Sequence, residues 1–271
     1  MKNRNDNKSK PVAPGLYTKK YFLNWGEYPY FIKTKGDKLF VIHERITRLL
    51  KIKAGMRVLD LGCGRGELLV CAARQGAEVH GVDYSKAAIK LSQETIKILP
   101  GGLRSKVRLT RADIKKMSFP ADRYDRILMI DLIEHLRPWE VDILLSSAKK
   151  ALKRNGQLII HTWPNKLVLD YGYPIYNAWQ FIRRKPLLLT KREPSEVLMH
   201  VNEQTPLTLK RSLKKHGFTL EIILEKDGFY ENLNYFAKKK RGFRKFIVKM
   251  LARWPLNHLF LNEIYAVAQK K

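Results

Sequence analysis

The chain has 271 residues, 45% of them apolar, which suffices for one packed α/β domain with additions and excludes global disorder. Its 53 Lys and Arg against 25 Asp and Glu give a formal charge of +28, a field that draws polyanions. Nucleic acid and an anionic membrane surface both fit that field, and a merely basic soluble surface is the third option. Two cysteines, Cys63 and Cys71, cannot by themselves build a zinc cluster or a disulfide framework, and they fit a reducing cytoplasm. Met1 to Lys10 is polar and basic, unlike a signal peptide, and no apolar run reaches the roughly 20 residues of a spanning helix. The expected location is therefore cytoplasmic, with peripheral attachment at the inner face of the membrane.

Residues 1–14 read as a disordered basic tail and residues 15–271 as a single domain. Residues 15–50 form its N-terminal cap: an aromatic, basic stretch from Leu16 to Phe40, then an amphipathic helix over Leu39 to Leu50. Met56 to Leu61 is a short apolar run ending in glycines, hence a buried strand. Glu67 to Gln75 is a helix closed by Gly76, and Ala77 to Val82 is a second strand. Ser85 caps a helix to about Leu99, which Pro100-Gly101-Gly102 ends. Lys106 to Thr110 and Arg126 to Ile130 are the third and fourth strands, and Pro138 opens a helix reaching Leu152. Asn155-Gly156 reads as a turn into a fifth strand, Gln157 to Thr162. Strands separated by helices of this length predict a parallel sheet covered on both faces. Residues 163–204 show no clear period and read as a basic-aromatic insertion. A helix from Thr208 to His216 and a strand from Phe218 to Leu224 follow. Residues 235–260 are a second basic-aromatic insertion, and Asn262 to Ala268 closes the chain as an edge strand.

Ligands of open parallel sheets bind beyond the carboxyl ends of the strands. The first strand ends in Asp60-Leu61-Gly62-Cys63-Gly64-Arg65-Gly66, whose glycines let the backbone approach a ligand closely. The spacing is Gly-x-Gly-x-Gly rather than the Gly-x-Gly-x-x-Gly of dinucleotide sites. Asp60 would repel a pyrophosphate but tolerates an ammonium group. Asp83 ends the second strand, where a carboxylate accepts from both ribose hydroxyls. Asp113 follows the third strand and can accept from an adenine amine while Ile114 packs on the ring.

These residues resemble class I S-adenosylmethionine-dependent methyltransferases. Val58-Leu59-Asp60-Leu61-Gly62-Cys63-Gly64 is similar to their first motif, Gly81-Val82-Asp83-Tyr84-Ser85 to their ribose-binding strand end, and Ala112-Asp113-Ile114 to their adenine position. The resemblance implies a Rossmann-like α/β fold, a seven-stranded mostly parallel sheet with the last strand antiparallel. It implies S-adenosylmethionine as cofactor, held by Asp60, Gly62, Cys63, Gly64, Gly66, Asp83, Tyr84, Asp113, Ile114 and Asp131. Ile130-Asp131-Leu132-Ile133-Glu134-His135-Leu136 resembles the Glu-His element of the ubiquinone-biosynthesis O-methyltransferase group. In some of its members an acid-x-x-Glu-His cluster holds a divalent metal, and Asp131, Glu134 and His135 match that spacing. The alternative is that Asp131 contacts the cofactor while Glu134 and His135 are structural. His161 and His200 are further candidates for a general base, because imidazole titrates near neutrality. The His161-Thr162-Trp163-Pro164-Asn165 and His200-Val201-Asn202-Glu203-Gln204 pieces resemble type-11 methyltransferases associated with cell-envelope glycan or lipid assembly. The expected acceptor is a small molecule, a lipid-linked compound or an envelope glycan. RNA methylation on the basic surface and a non-catalytic cofactor-binding protein of the same fold are the alternatives. Asp131-Leu132-Ile133-Glu134 is unlike the loop used for exocyclic amines of nucleic acids, and neither cysteine is placed for C5-pyrimidine chemistry.

Overall fold

The computed structural model describes residues 10–24, 28–36, 39–187, 194–225 and 257–270. Three short segments open the chain: a 3-10 turn at Pro14–Leu16, α1 (Lys19–Leu23) and α2 (Tyr28–Lys33). Val12, within the expected tail, is buried and packs with Tyr17 and Met199. The amphipathic helix α3 spans Val41–Leu50 and buries Ile46 and Leu50.

The alternation that follows gives β1 (Arg57–Leu61), α4 (Glu67–Arg74), β2 (Glu78–Asp83), α5 (Lys86–Thr95), α6 (Gly101–Arg104), β3 (Val107–Arg111), β4 (Tyr124–Ile130), α7 (Pro138–Ala151) and β5 (Leu152–Thr162). Ser85 caps α5 as its sequence position predicts, its Oγ accepting from the Ala87 and Ala88 N–H groups at 3.2 Å each. Two local expectations change. The helix stops before Pro100 as expected, but Gly101 then starts a further short helix, α6, with Pro100 as its N-cap. Asn155-Gly156 is no separate turn, because β5 runs on from Leu152 with a register irregularity opposite Tyr124 and Arg126.

The insertion after β5 is helical: a π-helical turn at Val168–Gly172 runs into α8 (Tyr173–Ile182), and α9 (Pro194–Met199) follows. α10 (Pro206–Lys215) and β6 (Phe218–Glu225) come next. Of the second insertion only α11 (Asn257–Phe260) is described, before β7 (Glu263–Lys270). Residues 235–256 lie outside the described residues.

The sheet order is β3-β2-β1-β4-β5-β7-β6. The first five strands are parallel, and β7 is antiparallel to both β5 and β6. The last strand is therefore interior, not the edge strand its position suggests; β3 and β6 are the edges. Val58, Leu128 and Ile159 face one core layer with α3 and α4, while their neighbours Leu59, Met129 and Ile160 face the other with α7 and α10. Period-2 alternation between two apolar layers makes these strands read as unbroken apolar runs. The order reverses between β1 and β4, so the carboxyl ends of those strands flank a crevice.

Candidate active site

Two contiguous lobes occupy that crevice. The smaller, about 90 Å³, is lined by Asp83, Tyr84, Ala112, Asp113, Ile114 and Lys115 among others. The larger, about 360 Å³, is lined by Asp60, Cys63, Glu134, His161, Trp163 and His200 among others. Gly62, Gly64, Asp131 and His135 line both. Tyr21 and Phe22 also line both, so the N-terminal helix α1 roofs the cleft. Ser85 ties this roof down by donating its hydroxyl to the Tyr17 carbonyl at 2.8 Å.

The loop after β1 is shaped by its glycines. Gly64 has φ +52°, and a Cβ there would find nothing closer than 3.8 Å, so its cavity side is open. Gly66 lines neither lobe. It adopts φ +87° as the N-cap of α4, and a Cβ there would press on the Ser92 Cα at 3.1 Å. Its role is close packing of the loop on α5. Asp83 receives the Gly64 N–H at 3.1 Å and the Ser85 N–H at 2.8 Å, which orients its carboxylate at the cleft. Burial raises Asp83 to about 6, and burial plus the Asp83 and Glu67 charges raise Asp60 to about 7. Asp113 caps the turn after β3 by accepting from the Lys115 N–H at 3.1 Å, and the Lys115 ammonium lies 3.1 Å from it.

The larger lobe gathers all four residues expected to carry chemistry. Asp131 adopts a left-handed φ of +48° at the end of β4, unusual for a side chain with a Cβ. Its Oδ1 accepts from His161 Nδ1 at 2.6 Å, and Glu263 accepts from His161 Nε2 at 2.8 Å. His161 is wholly buried, and these two carboxylates hold it protonated, with its pKa raised to about 10. A free general base at His161 is thereby corrected: both ring nitrogens are donors already committed. Asp131 is held below the ordinary carboxylate range by His161 and remains about half open to the cavity, with 48% of its side chain exposed.

Glu134 is oppositely tuned. It is 1% exposed, accepts from the Thr162 hydroxyl at 2.9 Å, and is raised to about 8 by burial and by the Asp131 charge. Its carbonyl takes the N–H groups of Val201 and Asn202, which brings the His200 segment to the lobe. Burial lowers His135 to about 4, so it stays neutral; its Nδ1 is buried without a hydrogen-bond partner. The His135 ring lies between those of Tyr17 and His200, at 5.6 and 4.7 Å.

A family described as "Methyltransferase domain" matches residues 37–222, more than half of the chain. The chain belongs to the methyltransferase-domain family. Among its relatives is the ubiquinone biosynthesis O-methyltransferase of Bartonella bacilliformis, 31% identical over 150 residues, 55% of this chain and 58% of the relative. The cyclopropane-fatty-acyl-phospholipid synthase of Escherichia coli is 32% identical over 161 residues, 55% of this chain and 39% of that protein. The chain thus spans about half the length of these curated relatives. A SAM-dependent methyltransferase from Archaeoglobus fulgidus has the same fold, with a TM-score of 0.57 and 25% identity over 90% of this chain and all of that one.

S-adenosylmethionine, the cofactor that the sequence resemblance implies, is the one named for that Archaeoglobus fulgidus neighbour. The cleft fits it: an open glycine turn lies between a carboxylate pocket at Asp60 and the lobe lined by Asp83, Asp113 and Ile114. A divalent metal on Asp131, Glu134 and His135 does not fit. Among the described residues no group of three His, Cys, Asp or Glu could hold a metal. Two lobe residues escape a sequence reading. His43, on the α3 face read as core, lines the larger lobe. Glu263 is 102 positions from His161 and reaches it because β7 pairs antiparallel with β5. No local signal marks Glu263, whereas a histidine within an otherwise apolar helix face could have marked His43.

Proposed function

We propose that the chain is an S-adenosylmethionine-dependent methyltransferase that methylates a hydroxyl oxygen of a small, lipid-linked or cell-envelope glycan acceptor, in the cytoplasm at the inner face of the membrane. In this reading the ammonium of the donor meets Asp60, the ribose Asp83, and the adenine Asp113 and Ile114. Asp60, at about 7, ionises fully beside a cation, which suits an ammonium partner.

Bound S-adenosylmethionine supplies a methyl group already activated on sulfonium. The protein has to align the acceptor oxygen and remove its proton. The observation that carries the proposal is the contrast between two neighbouring carboxyl groups in one lobe. Asp131 stays ionised against His161, while Glu134 titrates near 8. As the new O–CH₃ bond forms, the hydroxyl proton passes to the Glu134 carboxylate. Asp131 aligns the hydroxyl, itself fixed by His161 and Glu263. The name of the ubiquinone biosynthesis relative supports oxygen as the atom methylated.

Incubation with methyl-labelled S-adenosylmethionine and a bacterial lipid and glycan extract tests this, with the product resolved by mass spectrometry. The expected product carries label on oxygen. Label on nitrogen or carbon, or none from a chain that binds the cofactor, would overturn O-methylation.

A further inference from the structure

The insertion after β5 has a clear period, and it points outward. Across residues 171–182 every exposed side chain is apolar or aromatic. Tyr171, Ile175, Trp179 and Ile182 recur at spacings of four, four and three and are 55, 51, 43 and 78% exposed. Pro174 and Ala178 fill the same stripe. No residue of α8 is buried, and the helix contains no charged residue. A helix on a soluble domain ordinarily turns its apolar stripe inward, so an outward stripe marks a docking face. Directly after it Arg183, Arg184 and Lys185 are all exposed, the Arg183 guanidinium 4.5 Å from the Trp179 ring centre.

The placement of this helix matters. Asn165, fully buried, donates from Nδ2 to the carbonyls of His258 and Leu261 at 2.8 and 2.9 Å. That anchors the start of the helical insertion to the segment leading into β7, whose first residue Glu263 lines the larger lobe together with Trp163. The chain that leads into the stripe is therefore fixed beside the segment that carries Glu263 to the larger lobe.

Its chemistry favours one occupant. An RNA strand needs cations along the whole contact as well as ring faces for stacking, but the cations of this face are confined to one end. A second copy would set like charges side by side on two chains of +28 each. A bilayer surface takes both parts, burying an apolar stripe at the acyl boundary and meeting cations at anionic headgroups. Among the described residues no helix is long and apolar enough to cross a membrane, so a surface position is the one this helix can take.

We propose that α8 docks in the interface of an anionic phospholipid bilayer, and that the acceptor enters the larger lobe from that surface. The second clause rests on the methyltransferase reading. Flotation of the full chain with phosphatidylcholine vesicles, with and without phosphatidylglycerol, tests the docking. The wild type is expected to float with the anionic vesicles and to be released by salt. Arg183→Gln/Arg184→Gln/Lys185→Gln should weaken binding on the order of 100-fold, at about fivefold per cation. Ile175→Gln/Trp179→Gln/Ile182→Gln should abolish flotation while leaving S-adenosylhomocysteine affinity, measured on the same preparation, unchanged. A wild type that stays with the soluble fraction overturns the docking whatever its methyl transfer. The same holds for an apolar triple variant that floats undiminished. RNA retention or a concentration-dependent dimer lost on either triple substitution, without flotation, also overturns it. A chain that floats but does not bind the cofactor keeps the docking and removes the methyltransferase reading.

Discussion

Glu263→Gln isolates the buried relay behind the larger lobe. In the wild type His161 is wholly buried between Asp131 at 2.6 Å and Glu263 at 2.8 Å. The amide keeps an acceptor for Nε2–H but removes one of the two charges that hold the imidazolium. A hydrogen bond to a charged acceptor contributes about 1.5–3 kcal/mol and a neutral one about 1, so the expected loss is about 1–2 kcal/mol. One pKa unit corresponds to about 1.4 kcal/mol, so His161 should fall by about one unit from its value near 10. Because the folded pKa lies above the unfolded value of 6.5, protonation of His161 stabilises fully below 6.5, and that stability is lost as pH rises through 10. The defect of Glu263→Gln should therefore be full below about pH 9 and fade as pH rises through 10. Urea unfolding at several pH values reads the stability, and NMR of the His161 ring carbons reads the protonation. A wild-type His161 that titrates near its ordinary value, or a variant as stable as wild type at neutral pH, would refute the relay.

Three further outcomes follow from the same geometry. Glu134→Gln keeps the acceptor for Thr162 but removes the base, so turnover should drop by roughly 10²–10⁴ with cofactor affinity intact. The wild-type rate should rise with pH through about 8 and the variant's should not. Asp83→Asn leaves the fold but should weaken S-adenosylhomocysteine binding by roughly one to two orders of magnitude, since hydrogen bonds to a charged acceptor are involved; calorimetry showing equal affinity would displace Asp83 from the ribose site. Gly66→Ala puts a Cβ at φ +87° against Ser92, so the domain should lose about 1–3 kcal/mol in denaturant unfolding.

The parallel half of the fold is legible because β1, β2 and β4 are short runs closed by glycine or aspartate, and the helices between them carry caps or stops. Asp60, Asp83, Asp113 and Asp131 are legible for the same reason: each sits at or just beyond a strand end. What stays hidden is set by contacts distant in sequence. The interior position of β7 depends on its pairing with both β5 and β6, which no local pattern encodes. Glu263 reaches His161 only through that pairing. The apolar and basic content of the α8 segment is legible, but its polar face is short and uncharged, so periodicity alone cannot say which side faces water.

Calorimetric titration of the wild-type chain with S-adenosylhomocysteine tests the central claim most directly. Saturable one-to-one binding in the micromolar range, weakened by Asp83→Asn and retained by Glu134→Gln, is the predicted result. A folded chain that takes up no heat at those concentrations would contradict both the cofactor site and the activity built on it.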